Sequence, residues 1–317
     1  MTQKKLDSAI QHVRDAVVSR TAGGGSIFNR GLVALAQRNV ETKSKVAEPA
    51  AKPSAEMYFE RGKFAYEKED FLEAFRWFCR AAEQGHERAQ VNLGSMYHNG
   101  KGGTQDDEEA AKWFRLAAKQ GDAAAQFNLG WMYRNGEGVP QDEEEAAKWC
   151  RLAAEQGHAS AQTDLGWMYR YGEGVPQDYA EAVKWYRLAA DQGDADAQTG
   201  LGWMYDNGNG VTQDDEEAVK WYRLAADQGN ARAQFTLGLM YSSGEGVPES
   251  KVAALALYNC AVANDSRLAG DVPDFLTSEV TAKEIKKSAK SLARKMAKPG
   301  NLLKALDQYV VTTESQL

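Results

Sequence analysis

Residues 125–157 read AQFNLGWMYRNGEGVPQDEEEAAKWCRLAAEQG, and this stretch decides the fold because the chain returns to it at a fixed interval. The dipeptide Ala-Gln stands at Ala89, Ala125, Ala161, Ala197 and Ala233, each 36 residues from the last. Leu-Gly follows at Leu93, Leu129, Leu165, Leu201 and Leu237, then Tyr97, Tyr133, Tyr169, Tyr205 and Tyr241, each ahead of a Gly-x-Gly loop. A period of this length marks stacked supersecondary units, each burying its apolar face against the next.

Within one unit the periodicity is helical in two blocks separated by NGEGVPQ, so each unit reads as a helical hairpin. In the first helix Ala125, Leu129 and Tyr133 are four apart and share a face, and Gly130 beside them admits a close second helix. In the second, Ala146, Trp149, Cys150 and Ala153 form the facing stripe. Asp106, Asp142, Asp178 and Asp214 precede Glu109, Glu145, Glu181 and Glu217 by three residues, which is capping-box spacing. The acidic clusters DDEE and DEEE are thus expected to serve a helix N-terminus rather than calcium, which needs oxygen ligands converging on one point. Each second helix should close at Gly85, Gly121, Gly157, Gly193 or Gly229, with His86, Asp122, His158, Asp194 or Asn230 capping the next.

These residues carry a resemblance. The pattern A-x-x-x-L-G-x-x-Y-x-x-G-x-G-V-P-x-D-x-x-x-A-x-x-W-Y-x-x-A-A-x-x-G is similar to the Sel1-like repeat, a relative of the tetratricopeptide repeats. The resemblance implies an all-α, right-handed α-solenoid of helical hairpins and a role as an adaptor in protein complexes. On this reading residues 89–268 hold five Sel1-like repeats. The last is worn: Leu257 replaces the Trp seen as Trp113, Trp149, Trp185 and Trp221, Ser250 replaces the cap Asp, and Asp265 the terminal Gly. A worn final unit suits the end of an array. Residues 55–88 form a shorter tetratricopeptide-like first unit, with Gly62, Ala74, Phe78 and Ala81 in register and Asp70 and Glu73 as cap. Residues 269–317 are expected to close the array with one helix capped by Thr281 and Glu284 and striped by Ile285, Ala289, Leu292 and Met296, and a shorter one bearing Leu302, Leu303, Leu306 and Tyr309.

Residues 1–54 do not repeat. Leu6, Ile10, Val13 and Val17 lie on one helical face, Gly23-Gly24-Gly25 breaks it, Phe28 to Val40 reads as a second helix, and ETKSKVAEPAAKPS as a linker. This segment is either a flexible leader or a helical hook for a partner, a membrane surface or another copy of the chain. It carries 9 basic and 4 acidic residues, whereas residues 55–263 carry 20 and 34, so it also permits folding back onto the array. The acidic body disfavours nucleic acid as ligand, because phosphate neutralisation needs clustered Lys and Arg.

Other functions find little support. Cys79, Cys150 and Cys260 are odd in number and unrelated in spacing, so neither a disulfide framework nor a zinc site is expected, and they read as packing residues. His12, His86, His98 and His158 contain no metal-type pair, and no metal or cofactor is expected. There is no Ser/His/Asp or Cys/His arrangement, and the Gly-x-Gly loops lack the preceding strand of a nucleotide site. With no apolar run of membrane-spanning length and a polar N-terminus, the expected compartment is the cytoplasm.

The expectation is therefore a non-enzymatic scaffold binding a protein or peptide, with regulatory docking through the N-terminal helix as the alternative. The candidate contacts form an aromatic ladder on the first helices: Phe127, Trp131, Arg134 and Asn135, then Trp167, Arg170 and Tyr171, then Trp203, Asp206 and Asn207. Half-polar aromatic patches of this kind are typical hot spots. The competing reading wedges each indole between neighbouring first helices as packing.

Overall fold

The computed structural model describes residues 53–270, 283–298 and 300–314. The expected N-terminal helices and the Thr281 cap lie outside the described residues, as does the side chain of Glu284. Two compact units divide after Gln141. Unit one holds α1 (Ala55–Glu67), α2 (Phe71–Glu83), α3 (Glu87–His98), α4 (Asp107–Gln120) and α5 (Ala123–Asn135). Unit two holds α6 (Glu143–Glu155), α7 (Ala159–Tyr171), α8 (Tyr179–Asp191), α9 (Ala195–Asn207), α10 (Asp215–Asp227), α11 (Ala231–Ser243) and α12 (Lys251–Asn264). A 3-10 turn (Ser266–Gly270), α13 (Lys283–Met296) and α14 (Leu302–Glu314) follow. No strand occurs among the described residues, and helices pack as consecutive hairpins in both units.

The hairpins close on glycine. A Cβ built on Gly166 of α7 would lie 2.8 Å from Tyr186 Cδ1 of α8, and one on Gly200 of α9 2.9 Å from the same ring. Tyr186 is therefore clamped between two helices that only glycine lets so near. The first helices bury Ala161, Leu165 and Met168, with Ala197, Leu201 and Met204 one period later. This corrects the expected face: the buried third member is Met at i+7, and Tyr169 and Tyr133 are half-buried at its edge. Their hydroxyls reach the preceding hairpin, where Arg115 Nη2 donates to Tyr133 at 3.1 Å and Arg151 Nη2 to Tyr169 at 2.7 Å. In the second helices Ala146, Cys150 and Ala153 are buried as expected, but Trp149 is only half-buried and Ala147 and Ala154 fill the interior instead. Small residues there permit the short interhelical distance, which leaves no volume for an indole.

The Ala-Gln register has a physical cause. Gln162 Nε2 donates to the Ala154 carbonyl at 3.0 Å, and Gln162 Oε1 accepts from Gln192 Nε2 of the next second helix at 2.7 Å. Gln198 repeats this with Ala190 and Gln228, and Gln234 with Ala226 and Asn264. Each glutamine is buried and ties three consecutive helices, so its polar groups are satisfied.

The expected caps form. Asp106, Asp142 and Asp214 each accept from the backbone N–H three residues on at 2.9–3.0 Å, and Asp178 does so from two N–H groups. The box does not close reciprocally, however. Glu109 and Glu145 turn to Lys112 and Lys148, and the Asp106 and Asp178 N–H groups are taken by the carbonyls of Tyr97 and Tyr169. His86 and His158 cap α3 and α7 through Nδ1, each at 3.2 Å. In the loops the two glycines differ in purpose. Gly172 (φ 75°) ends α7 in the left-handed conformation, while Gly174 presses on the preceding hairpin, where a Cβ would stand 1.9 Å from the Glu143 carbonyl oxygen.

At the C-terminal end Ala289, Leu292 and Met296 of α13 are buried, Cys260 Sγ lies 3.9 Å from the Ala293 carbonyl, and Leu302, Ala305 and Leu306 of α14 complete the core. Asp307 pairs with Arg223, and Asp227 Oδ1 accepts from the Leu303 N–H at 3.1 Å, fastening α14 to α10. Burial pushes the Cys260 thiol up to about 11 and Cys79 up to about 12, so both stay protonated and unreactive.

Candidate functional site

Positions just after the helical Leu-Gly step project beside the buried stripe, so their side chains are neither fully buried nor free. Trp131, Trp167 and Trp203 are all half-buried, as are Phe127, Arg134, Arg170 and Asp206, whereas Asn135, Tyr171 and Asn207 are exposed. In unit one, Trp131 on α5 meets the His98 ring of α3 edge-on, with centroids 5.5 Å apart. Asn135 Nδ2 donates to the Trp131 carbonyl at 2.9 Å, an interaction that trims the end of its own helix.

Unit two gathers four of the candidates. Trp167 and Tyr171, one turn apart on α7, have centroids 4.5 Å apart. The Arg170 guanidinium lies 4.9 Å from the Tyr171 centroid and 3.4 Å from that of Trp203 on α9, stacked on the indole. Arg170 also hydrogen-bonds the buried Tyr186 hydroxyl, and its Nε is buried without a hydrogen-bond partner. The sequence reading missed Tyr186 as the anchor beneath Arg170, since nothing in a periodic tyrosine signals which arginine reaches it. Trp203 packs on the buried clusters around Tyr186 and around Tyr222, and Trp167 packs on the first of these. Tyr171 keeps 50% of its surface exposed at the edge of this group.

Beyond Trp203 the chemistry changes sign. Burial, then Asp215, then Glu245 raise the Asp206 carboxyl above its ordinary value. Asn207 Nδ2 donates to the Trp203 carbonyl at 2.9 Å, as Asn135 does to that of Trp131 two repeats earlier. The face thus runs from an aromatic–cation cluster to an acidic end, an arrangement that can hold an extended segment and contains no nucleophile–base pair. Among the described residues one metal-ligating group converges, His98, Asp107 and Glu137, and no helix is long and apolar enough to cross a membrane.

Comparison with known proteins adds the family. A family model described as the Sel1 repeat matches residues 54–86, 87–122, 123–158, 159–194, 195–230 and 231–266, so that the first, shorter unit is matched too. A Sel1 repeat protein from Oxalobacter formigenes is similar at 34% identity and a TM-score of 0.65, over 74% of this chain and 98% of that one. A protective antigen of uropathogenic Escherichia coli with the same type of fold is similar at 34% identity and a TM-score of 0.65, over 82% of this chain but only 57% of the antigen. No curated protein sequence matches.

Proposed function

The chain belongs to the Sel1 repeat family, and from that membership we propose that it is a non-enzymatic scaffold seating a partner protein or peptide on Trp167, Arg170, Tyr171 and Trp203. Sel1 repeat proteins are in general protein-interaction scaffolds. The observation that carries the reading is the Arg170 guanidinium held 3.4 Å from the Trp203 centroid beside a half-exposed Tyr171. The ring and guanidinium contacts already order these side chains against one another, which lowers the side-chain entropy to be lost on binding. Its aromatic and Arg composition is that of interface anchors. Asp206 on α9 extends the proposed contact within unit two, and an extended segment with an apolar side chain for Tyr171 fits it best.

Capture on the immobilised full chain, followed by calorimetry with the recovered partner, tests this. Tyr171→Ala and Trp167→Ala are expected to weaken binding by at least about tenfold, the scale of a hot-spot loss, with a melting temperature close to the parent for Tyr171→Ala and a lowered one for Trp167→Ala, which packs on the Tyr186 cluster. Leu188→Ala, an exposed position on α8, should bind as the parent does. Unchanged affinity in both aromatic variants sinks the assignment.

A further inference from the structure

One set of three positions recurs at each repeat junction: the loop-proximal end of a first helix, the first residue of its second helix, and the middle residue of the next Gly-x-Gly loop. By the 36-residue period these are His98, Asp107 and Glu137, then Arg134, Glu143 and Glu173, then Arg170, Tyr179 and Asn209, then Asp206, Asp215 and Glu245. Arg170, with no acids in its set, turns to Trp203. The first junction has two carboxylates and only an imidazole.

There, His98 Nδ1 is 2.8 Å from Asp107 Oδ1 and 3.9 Å from Glu137 Oε2, and the ligand atoms of the three residues all lie within 4.8 Å of one another. Donors bound tetrahedrally at zinc–ligand distances of 2.0–2.1 Å sit about 3.3 Å apart, between the two measured separations. The groups come from three pieces: the end of α3, the start of α4, and the loop after α5, which approaches α4 so closely that a Cβ on Gly138 would stand 2.0 Å from the Asp107 carbonyl oxygen. The Trp131 edge fixes the imidazole from the side. All three side chains are partly exposed, which leaves an entry path.

We propose that His98, Asp107 and Glu137 bind one divalent transition-metal ion of the zinc type, with solvent completing its coordination. A nitrogen donor with two carboxylates favours such borderline ions over calcium or magnesium, which take oxygen ligands. The ion cross-links the second and third hairpins and so stiffens unit one. The fourth junction, with carboxylates alone, lacks the nitrogen donor and serves as an internal control.

The test uses the full chain freed of any histidine tag, titrated with Zn2+ by calorimetry and with Co2+ by visible absorption. The expected result is one equivalent bound, a weak ligand-field band with nitrogen and oxygen donors, and a raised melting temperature with Zn2+. His98→Ala should abolish uptake. Glu137→Gln, an isosteric change in a loop outside the helices, should weaken it by about tenfold or more, since losses even outside the ligand shell reach that size. Asp206→Asn should bind as the parent does. The proposal is overturned if the parent takes up no zinc, which would leave a histidine–carboxylate ion pair in its place. It is also overturned if uptake survives both His98→Ala and Glu137→Gln, or if cobalt shows the intense charge-transfer band of thiolate ligands.

Discussion

Tyr186 has glycine on both sides, and the consequence is measurable residue by residue. Gly166→Ala and Gly200→Ala each place a methyl group below 3.0 Å from its ring, and the other glycine's helix blocks the ring's retreat. Overpacking of this kind costs about 1–3 kcal/mol, against about 1 kcal/mol gained from helix propensity. Both variants are expected to melt below the parent, and Tyr186→Leu in the same chain should recover part of the loss. A Gly166→Ala variant as stable as the parent would show that α7 and α8 can separate freely. Asp206 supplies a pH prediction. Because burial, Asp215 and Glu245 raise its pKa in the folded chain, the unfolded chain releases this proton first, and stability falls as pH rises through the carboxylate range. Asp206→Asn removes that cost. It should melt above the parent at pH 7, with the gap narrowing as pH falls through the same range; a variant less stable at pH 7 contradicts the assignment.

Between elements, the glutamine ladder is the polar counterpart of apolar stacking. Gln198 is buried and bonded to both the Ala190 carbonyl and Gln228, whereas Gln228 is exposed. Gln198→Leu takes the side-chain donor from the Ala190 carbonyl, which keeps the Gly193 N–H, and should cost about 0.5–1.5 kcal/mol. Gln228→Leu leaves Gln198 its bond to Ala190 and should cost less. Chemical denaturation of the two variants checks the order, and the reverse order would mean that the ladder follows packing instead of supporting it. The tryptophans belong to this scale as well. Trp203 packs on the hairpin cores around Tyr186 and around Tyr222, so Trp203→Ala should lower the melting temperature. The binding test rests on the exposed Tyr171 for that reason.

At the scale of the molecule, unit two is a run of hairpins in which α7 and α8 contact mainly their sequence neighbours. Stability in such an array is a sum over units and their interfaces. Deleting residues 159–194, one whole matched repeat, should therefore leave a helical chain that melts cooperatively, since α6 meets α9 as it met α7. Deleting 159–176 leaves α8 without its partner helix and exposes its alanine face. Circular dichroism and thermal melting of both deletions decide the point, and equal behaviour of the two contradicts a modular array.

Much of this was legible in the residues themselves. The period, the two helices per unit, the Asp caps and the closing glycines all rest on local chemistry: an N–H three residues away, or a backbone angle that one residue type adopts. Five Ala-Gln dipeptides announced the register, but only packing revealed that each Gln ties three helices together. The buried partner of Leu129 being Met132 and not Tyr133 depended on how deeply one helix sits in the next, which spacing along a single helix does not contain. The binding face was half legible for the same reason. Periodicity put Trp131, Trp167 and Trp203 on one side of their helices. That Arg170 stacks on Trp203, or that His98, Asp107 and Glu137 converge from three segments, depended on contacts between repeats. Such contacts join positions 9 to 39 residues apart in the chain, and only the stacking of one hairpin on another brings them together.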